Sequence, residues 1–162
     1  MGKNIPQSGG ARHQARVFVL LGLYQWLTDP TLDFAGIEAH LKDLIHEEGA
    51  QLEDCDIDPA DFDRCDKPLF DELLSGVLDN KDELLATVTR FVDRDFNRVS
   101  LVERAVLLLG TYELMKCPQT PWRVVINESV ELAKRFGSGY RFTNGVLEQV
   151  AKDVRPDEVA SL

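Results

Sequence analysis

The chain has 162 residues, of which 44% are hydrophobic and 28% are charged. That is enough for one globular domain with a sizeable core. The formal net charge of -10 argues against nucleic-acid binding through overall charge. The longest apolar run, residues 17–24, is far shorter than the roughly 20 residues that a membrane span needs, so no membrane segment is expected.

The N-terminal part of the chain is locally basic. Residues 1–10 are polar and rich in glycine, which is typical of a flexible arm, and this arm carries Lys3. Together with Arg12 and Arg16, residues 1–28 hold three basic residues and no acidic ones. Such a cluster can attract a polyanion despite the total charge, because salt screens charges beyond about 8 Å. Three solvated surface cations are the simpler interpretation.

The spacing of apolar residues predicts an all-α fold of about six to seven helices. Apolar positions recur at helical intervals, and no segment alternates with a period of two over a useful length. The predicted helices lie within residues 11–27, 31–48, 70–77, 84–91, 100–115, 121–136 and 140–150.

Several helix ends carry recognisable signals. Ser100 and Glu103 form an S-x-x-E capping box, in which each side chain satisfies a backbone N–H of the first turn. Thr120 and Pro121 are predicted to be the N-cap and the first residue of the next helix. Gly137 is predicted to be its C-cap.

We expect a single helical domain over residues 11–155. Its N-terminal subdomain would cover residues 11–95 and its C-terminal subdomain residues 96–155. The acidic stretch at residues 50–66 has no helical period and is predicted to be a surface loop. Residues 156–162 are expected to form a tail.

No motif for catalysis, a metal or a cofactor is recognisable. Asp54, Asp56 and Asp58 imitate the start of a calcium loop, but Pro59 and Cys65 stand where that loop needs Gly and Glu. The three histidines show no metal-ligand spacing with the three cysteines. The odd cysteine count, without a C-x-x-C pair, favours a reducing cytoplasm over a disulfide framework. We therefore predict a cytoplasmic protein that is not an enzyme.

The start of the last predicted helix offers groups suited to RNA. Arg141, Phe142 and Asn144 supply a cation, an aromatic ring and an amide. Unpaired bases stack on arginine and aromatic side chains at roughly 1–3 kcal/mol per base. The simpler interpretation is that Phe142 belongs to the core.

Four patterns follow one another at consistent spacing within residues 101–151. They are Y-E-L at 112–114, V-x-I-N-E-x-V-E-L-A-K at 124–134, F-G at 136–137 and F-x-N-G-V-L at 142–147. This series resembles the NusB family of transcription antitermination factors. The A-R-x-x-A-R-x-x-x-L-x-x-L-Y text of the first helix is also similar to that family.

The resemblance implies a NusB-like bundle of two packed helical subdomains. It implies binding to boxA-like single-stranded RNA of ribosomal transcripts, together with the small-subunit ribosomal protein NusE, in the antitermination complex of RNA polymerase. It also implies a protein-binding role for Glu103. The RNA contacts that it suggests, with Lys3 added from the basic arm, are Lys3, Arg12, Arg16, Tyr24, Arg141 and Phe142.

Other functions remain open at this stage. The protein could be an interaction scaffold of the NusB fold whose RNA specificity is weak or lost, since the basic arm is thin and the middle of the chain is acidic. It could also act in trans as the helical module of a ribosomal RNA methyltransferase. A homodimer is possible, because apolar positions of the helix at 100–115 could serve self-association.

Overall fold

The computed structural model describes residues 10–46, 57–58, 60–137 and 139–161. Within these residues every regular element is helical, which confirms the predicted all-α fold. The predicted arm, with Lys3, lies outside the described residues except for Gly10. So do residues 47–56 and 59, which include much of the predicted acidic loop.

The described part of the chain contains nine α-helices, and seven of them correspond to the predicted ones. The other two, α3 and α9, have five residues each, too few for a hydrophobic period to be recognisable. Two short 3-10 turns, Thr89–Phe91 and Phe96–Arg98, lie in the connection between α5 and α6. The helices are α1 Ala11–Thr28, α2 Phe34–His46, α3 Ala60–Arg64, α4 Lys67–Asp79, α5 Lys81–Val88, α6 Leu101–Lys116, α7 Trp122–Phe136, α8 Tyr140–Val154 and α9 Pro156–Ala160.

The chain divides into two compact units, unit 1 at Met1–Ser75 and unit 2 at Gly76–Leu162. The division falls within α4. The sequence-based subdomains, residues 11–95 and 96–155, would meet in the connection between α5 and α6. They remain a prediction.

Unit 1 is built around α1, whose residues are almost all buried from Gln14 to Leu23. A helix that is apolar on all sides belongs inside a core rather than on a surface. Helix α2 approaches α1 closely at Gly22, where an added methyl group would lie 2.9 Å from Cγ2 of Ile37. This distance leaves no room for a side chain at the crossing.

The acidic stretch before α4 is not entirely a loop, so the prediction for residues 50–66 is wrong over Ala60–Arg64. Phe62 is buried there, with its ring centroid 5.0 Å from that of Phe18 and 5.5 Å from that of Phe70. Both pairs are edge-to-face, a favoured geometry for aromatic rings. The buried Phe62 ring holds this short helix against the core. The acidic residues around Phe62 give the sequence no hydrophobic pattern from which the helix could be predicted.

Unit 2 places α6 between α5, α7 and α8, and α6 is buried on all sides from Ala105 to Leu114. Helices α7 and α8 approach α6 closely at Gly110. A methyl group there would lie 2.8 Å from Cδ1 of Leu147 and 2.9 Å from Oγ of Ser129. One cluster of buried core residues in this unit consists of Val88, Leu107, Leu114, Val125, Ile126, Val146, Leu147, Val150 and Ala151.

A buried arginine holds the turn between α6 and α7. The Arg155 guanidinium donates hydrogen bonds to the backbone carbonyls of Glu113, Leu114, Cys117 and Thr120, at 2.7–2.9 Å. Its fifth N–H donates to the Glu158 carboxylate at 3.0 Å, so all five guanidinium donors are used. The end of a helix leaves carbonyls without intrahelical partners, and Arg155 supplies a donor to that of Leu114. The Glu113 and Cys117 carbonyls also accept the backbone N–H groups of Cys117 and Thr120.

Glu158 extends the same network to the start of α7. Its second carboxylate oxygen accepts the backbone N–H of Trp122 at 2.9 Å. That bond, with the Arg155 guanidinium alongside, holds the pKa of Glu158 below its usual value. The segment predicted as a tail therefore contains α9, and α9 carries a residue that caps another helix.

The helix-end signals are confirmed in part. The Ser100 hydroxyl accepts the backbone N–H of Glu103 at 3.2 Å, and Gly137 is the C-cap of α7. The carboxylate of Glu103, predicted to complete the capping box, lies instead against Gly139. Helix α7 begins at Trp122, one residue later than predicted, with Pro121 as N-cap.

The described residues contain neither a helix that could span a membrane nor a cluster of side chains that could bind a metal ion. No helix among them is both long and apolar enough to cross a membrane. No group of three or more His, Cys, Asp or Glu side chains there could hold a metal ion. Cys65 and Cys117 are free thiols, and burial raises the pKa of Cys65.

Candidate nucleic-acid interface

Helix α1 presents two of the predicted RNA contacts to solvent. Arg12 lies in its first turn with 55% of its side chain exposed, and its guanidinium lies 3.6 Å from the Asp66 carboxylate. Tyr24 is 40% exposed near the other end of the helix. Twelve residues of helix separate the two by about 18 Å. An exposed, weakly paired arginine is suited to a phosphate contact.

Arg16, which was also predicted to contact RNA, is buried. Its side chain is only 3% exposed, and it interacts within the folded chain. A guanidinium buried in the folded chain cannot reach a phosphate, and only cations that contact phosphates displace the counterions of the nucleic acid. The structure therefore favours Arg12 over Arg16 as the phosphate-binding arginine of α1. The repeated A-R text suggested two equivalent arginines, but they lie in different surroundings.

Phe142, in the first turn of α8, is partly buried against the core of unit 2. The Arg94 guanidinium lies over its ring, 4.5 Å from the centroid, in a cation–π arrangement. Arg94 itself is 48% exposed and is paired with its neighbour Asp93. Phe142 therefore packs against the core, as one interpretation of the sequence predicted, and its ring is also covered by a cation that faces solvent, as an RNA site requires.

A salt bridge fixes the segment that carries Arg94. Arg90 and Asp153 form two parallel hydrogen bonds, at 3.1 and 3.0 Å, between the 3-10 turn and α8. Such bidentate pairs define orientation as well as distance. This pair therefore holds the connection after α5 beside the helix that bears Phe142.

A second group of cations and an aromatic ring lies where α7 turns into α8. Nζ of Lys134 is 4.9 Å, and Cζ of Arg141 is 5.4 Å, from the ring centroid of Tyr140. These three residues line a cleft of about 380 Å³. The remaining lining residues are Asn127, Val130, Glu131 and Asn144. We call this space the α7–α8 cleft.

Glu103, the predicted protein contact, lies in the first turn of α6 and is partly exposed. A methyl group at Gly139 would overlap its carboxylate. Gly137 is similarly tight against Val102, whose Cγ1 would lie 3.0 Å from an added methyl group. The absence of side chains at Gly137 and Gly139 therefore leaves room for the side chains of Val102 and Glu103.

The sequence identified Arg141, Phe142 and Asn144 but not Arg94, Lys134 or Tyr140. Arg94 is distant from Phe142 in the chain, and no local pattern connects them. Lys134 and Tyr140 did carry a usable signal. They lie on either side of Gly137 and Gly139, and such glycines in sequence are typical of the end of one helix and the start of the next.

Comparison with known proteins identifies the family of this chain. The NusB family model matches residues 13–152. The chain belongs to the NusB family. It is 42% identical over 156 residues to a transcription antitermination protein NusB of Aromatoleum aromaticum, covering 95% of this chain and 97% of that one. It is 44% identical over 153 residues to a NusB of Ralstonia nicotianae, covering 93% and 88%.

Solved NusB structures share the fold. The chain matches T. maritima NusB with a TM-score of 0.71 and 26% identity, over 91% of this chain and 96% of that one. It also matches a chain in a crystal structure of the antitermination factors NusB and NusE in complex with dsRNA, with a TM-score of 0.67. That match covers 87% of this chain and 96% of the other. At 20% identity it shows the common fold alone.

Membership of the family confirms the prediction of a transcription antitermination factor that is not an enzyme. It also confirms the NusB-like fold expected from the patterns in residues 101–151. The roles of individual residues are a separate question, and they remain proposals.

Proposed function

We propose that this protein binds boxA-like single-stranded RNA together with the ribosomal protein NusE, within the antitermination complex of RNA polymerase in the cytoplasm. The observation that carries the RNA proposal is the pairing of solvent-facing cations with aromatic rings in unit 2. Arg94 lies on Phe142, and Lys134 and Arg141 lie on Tyr140. RNA recognition uses such groups, because phosphates need cations and unpaired bases need flat partners.

The local charge supports this proposal despite the acidic total. Residues 96–162 contain nine basic and eight acidic residues, whereas residues 29–95 contain 20 acidic and six basic ones. Salt screens exposed charges over about 8 Å at physiological ionic strength. In α3 of unit 1, the charge of Asp61 is partly neutralised by an ion pair with Arg64. Asp61 and Asp63 also lie in the first turn of this helix, where the helix dipole stabilises negative charge.

The direct test measures RNA affinity by fluorescence anisotropy. A labelled boxA-like RNA and a scrambled RNA would be titrated with the full chain, with and without NusE, at low and physiological salt. We expect a preference for the boxA-like RNA that strengthens with NusE. We also expect the logarithm of the binding constant to fall steeply with the logarithm of salt concentration. Equal binding of the two RNAs in every condition would contradict the proposed specificity.

Arg94→Ala is expected to weaken RNA binding by about fivefold to twentyfold, because it removes both a cation and a flat partner beside Phe142. Arg94→Lys keeps the charge and loses the planar group. It should therefore retain the salt slope of the parent protein while recovering only part of the affinity. The affinities and slopes would be measured in the same anisotropy assay.

Lys116→Ala is the matched control for Arg94→Ala. Lys116, like Arg94, is a cation of unit 2 that is paired with an acidic side chain at 3.0 Å, but it lies in the last turn of α6 rather than over Phe142. We expect less than a twofold change in RNA affinity. If Arg94→Ala and Lys116→Ala behave alike, the Arg94–Phe142 pair has no special role in RNA binding.

We also propose that Glu103 contacts NusE and that Gly139 positions it. Glu103→Gln is expected to weaken NusE binding by about fivefold or more, because a charge at the interface is lost. Gly139→Ala keeps the carboxylate but displaces it, since the added methyl group would occupy its place. We expect a similar loss of NusE affinity, measured by calorimetry, with little loss of stability because the glutamate side chain is flexible.

Asp82→Asn serves as the control for the Glu103 variants, because Asp82 is an exposed acid in the first turn of α5. It should bind NusE like the parent protein. Normal NusE binding by Gly139→Ala, alongside a loss in Glu103→Gln, would mean that the position of Glu103 does not matter. Normal binding by both would remove Glu103 from the interface.

One alternative has a specific observation in its favour. With Arg16 buried, α1 offers fewer accessible cations than its sequence suggested. An interaction scaffold that binds NusE but does not distinguish boxA-like RNA would fit that arrangement, and the anisotropy experiment separates the two. A homodimer through the partly exposed Leu101 and Val102 of α6 would appear as a concentration-dependent mass in light scattering.

A further inference from the structure

We infer that the α7–α8 cleft holds one unpaired nucleotide of bound RNA, an inference that rests on the proposed RNA-binding function. The cleft is defined by Asn127, Val130, Glu131, Lys134, Tyr140, Arg141 and Asn144. It is a different place from the Arg94–Phe142 pair, because neither of those residues lines it.

The size of the cleft suits one nucleotide. Its volume of about 380 Å³ lies near the lower end of the roughly 300–1,000 Å³ found for small-molecule sites. Several consecutive nucleotides would need a longer groove. A cleft of this size can take a base that has been splayed out of an unstacked RNA strand, which is how single-stranded RNA is commonly read.

The charge of the cleft matches one phosphodiester. Two of its lining residues, Lys134 and Arg141, are cationic, and one, Glu131, is anionic. The sum is one positive charge, and each nucleotide within an RNA strand carries one negative charge. The carboxylate argues against a site for free phosphate, because it would repel an anion placed beside it. It fits a ligand that brings N–H donors along with its phosphate.

The polar groups of the cleft fit the edge of a nucleobase. Asn127 and Asn144 each offer amide donors and a carbonyl acceptor, and Glu131 offers acceptors alone. A base edge presents donors and acceptors side by side, and amide and carboxylate side chains are the groups that read such edges. Val130 adds an apolar surface between them.

Tyr140 organises the cations of the cleft. Lys134 and Arg141 both lie within 5.4 Å of its ring centroid, and an aromatic ring attracts cations through its negative face. The two cations repel each other when they share one ring. A phosphate that binds between them relieves that repulsion, and the planar Arg141 guanidinium can stack against the base.

Nuclear magnetic resonance of the full chain gives the first test. The probes are the four ribonucleoside 5′-monophosphates, each added to about 10 mM, which fills even a site with a Kd of about 1 mM. We expect at least one nucleotide to shift the side-chain NH2 signals of Asn127 and Asn144. Inorganic phosphate should leave those amide signals unmoved. Amide signals that no nucleotide shifts, or that phosphate shifts equally, would overturn the inference.

Variants then connect the cleft to RNA. Asn127→Ala and Asn144→Ala are each expected to weaken binding of the boxA-like RNA by about fivefold to twentyfold. The matched control is Gln149→Ala, because Gln149 is an exposed amide of α8 that does not line the cleft. Glu131→Gln should change which base is preferred when each RNA position is substituted in turn.

The failures of the two proposals are distinguishable. If the RNA binds with NusE but both asparagine variants behave like Gln149→Ala, the cleft inference fails and the proposed function stands. If no RNA binds in any condition while a mononucleotide shifts the asparagine amides, the proposed function fails and the cleft remains a nucleotide site.

Discussion

Arg155→Ala is expected to lower the free energy of unfolding of unit 2 by about 3–5 kcal/mol. The substitution removes every hydrogen bond from the guanidinium and takes the Arg155 donor from the Leu114 and Thr120 carbonyls, whereas the Glu113 and Cys117 carbonyls keep the backbone N–H groups of Cys117 and Thr120. Unsatisfied buried polar groups cost about 1–3 kcal/mol each, and a partial collapse of the turn would recover some of that cost.

Urea denaturation followed by tryptophan fluorescence measures this effect. The chain has two tryptophans, and a Trp26→Phe background leaves Trp122 of α7 as the reporter for unit 2. Lys152→Ala is the control, because that cation is exposed in the last turn of α8, and it should change stability by less than about 0.5 kcal/mol. A loss below about 1 kcal/mol in Arg155→Ala would show that water can replace the arginine.

Arg155→Lys separates charge from geometry. Lysine keeps the positive charge, but its ammonium is a compact group with three donors, which cannot reach carbonyls spread around a planar fork. We therefore expect Arg155→Lys to lose most of the stability that Arg155→Ala loses. Equal stability of the lysine variant and the parent protein would mean that charge alone stabilises the turn.

Gly76→Ala is expected to destabilise the protein by about 2–4 kcal/mol, although alanine is the better helix former. A methyl group at Gly76 of α4 would overlap the ring of Tyr112, which is 7% exposed in α6. A rigid ring in a packed core cannot move aside as a flexible side chain does. Urea denaturation in the same reporter background gives the free energy.

Gly145→Ala is expected to have the opposite effect on stability to Gly76→Ala. Gly145 is exposed in the interior of α8, and an added methyl group would meet nothing within 4 Å. This substitution should stabilise unit 2 by about 0.5–1 kcal/mol through helix propensity alone. A double-mutant cycle of Gly76→Ala with Tyr112→Ala would show a large favourable coupling if the overlap is the cause, and additive losses if it is not.

The long helices were predictable because their apolar residues recur at helical intervals over many turns. The stripe of Leu101, Ala105, Leu108 and Tyr112 and the cap at Ser100 located α6 almost to the residue. Helix α3 was not predictable in this way. Its stability comes from the contacts of Phe62 with Phe18 and Phe70, and these depend on tertiary structure.

The candidate site was predictable only where its residues are close in sequence. Arg141 and Asn144 lie within one turn of α8, so the local text could indicate them. The Arg94–Phe142 pair depends on how the connection after α5 lies beside α8. The burial of Arg16 is also a tertiary effect, because the sequence around it gives Arg12 and Arg16 the same appearance. Arg155 gave no signal, since its acceptors are backbone carbonyls, which every residue possesses.

The position of Arg155 in the chain has a consequence for how the protein is made. A polypeptide leaves the ribosome from its N-terminus, and domains generally fold as units in that order. Unit 1 can therefore begin to fold while unit 2 is still being synthesised. The turn between α6 and α7 acquires its donors only after α8 has been translated, because Arg155 follows that helix. During synthesis, the turn between α6 and α7 therefore lacks the hydrogen bonds from Arg155 until that residue, which is made after both helices, has been added.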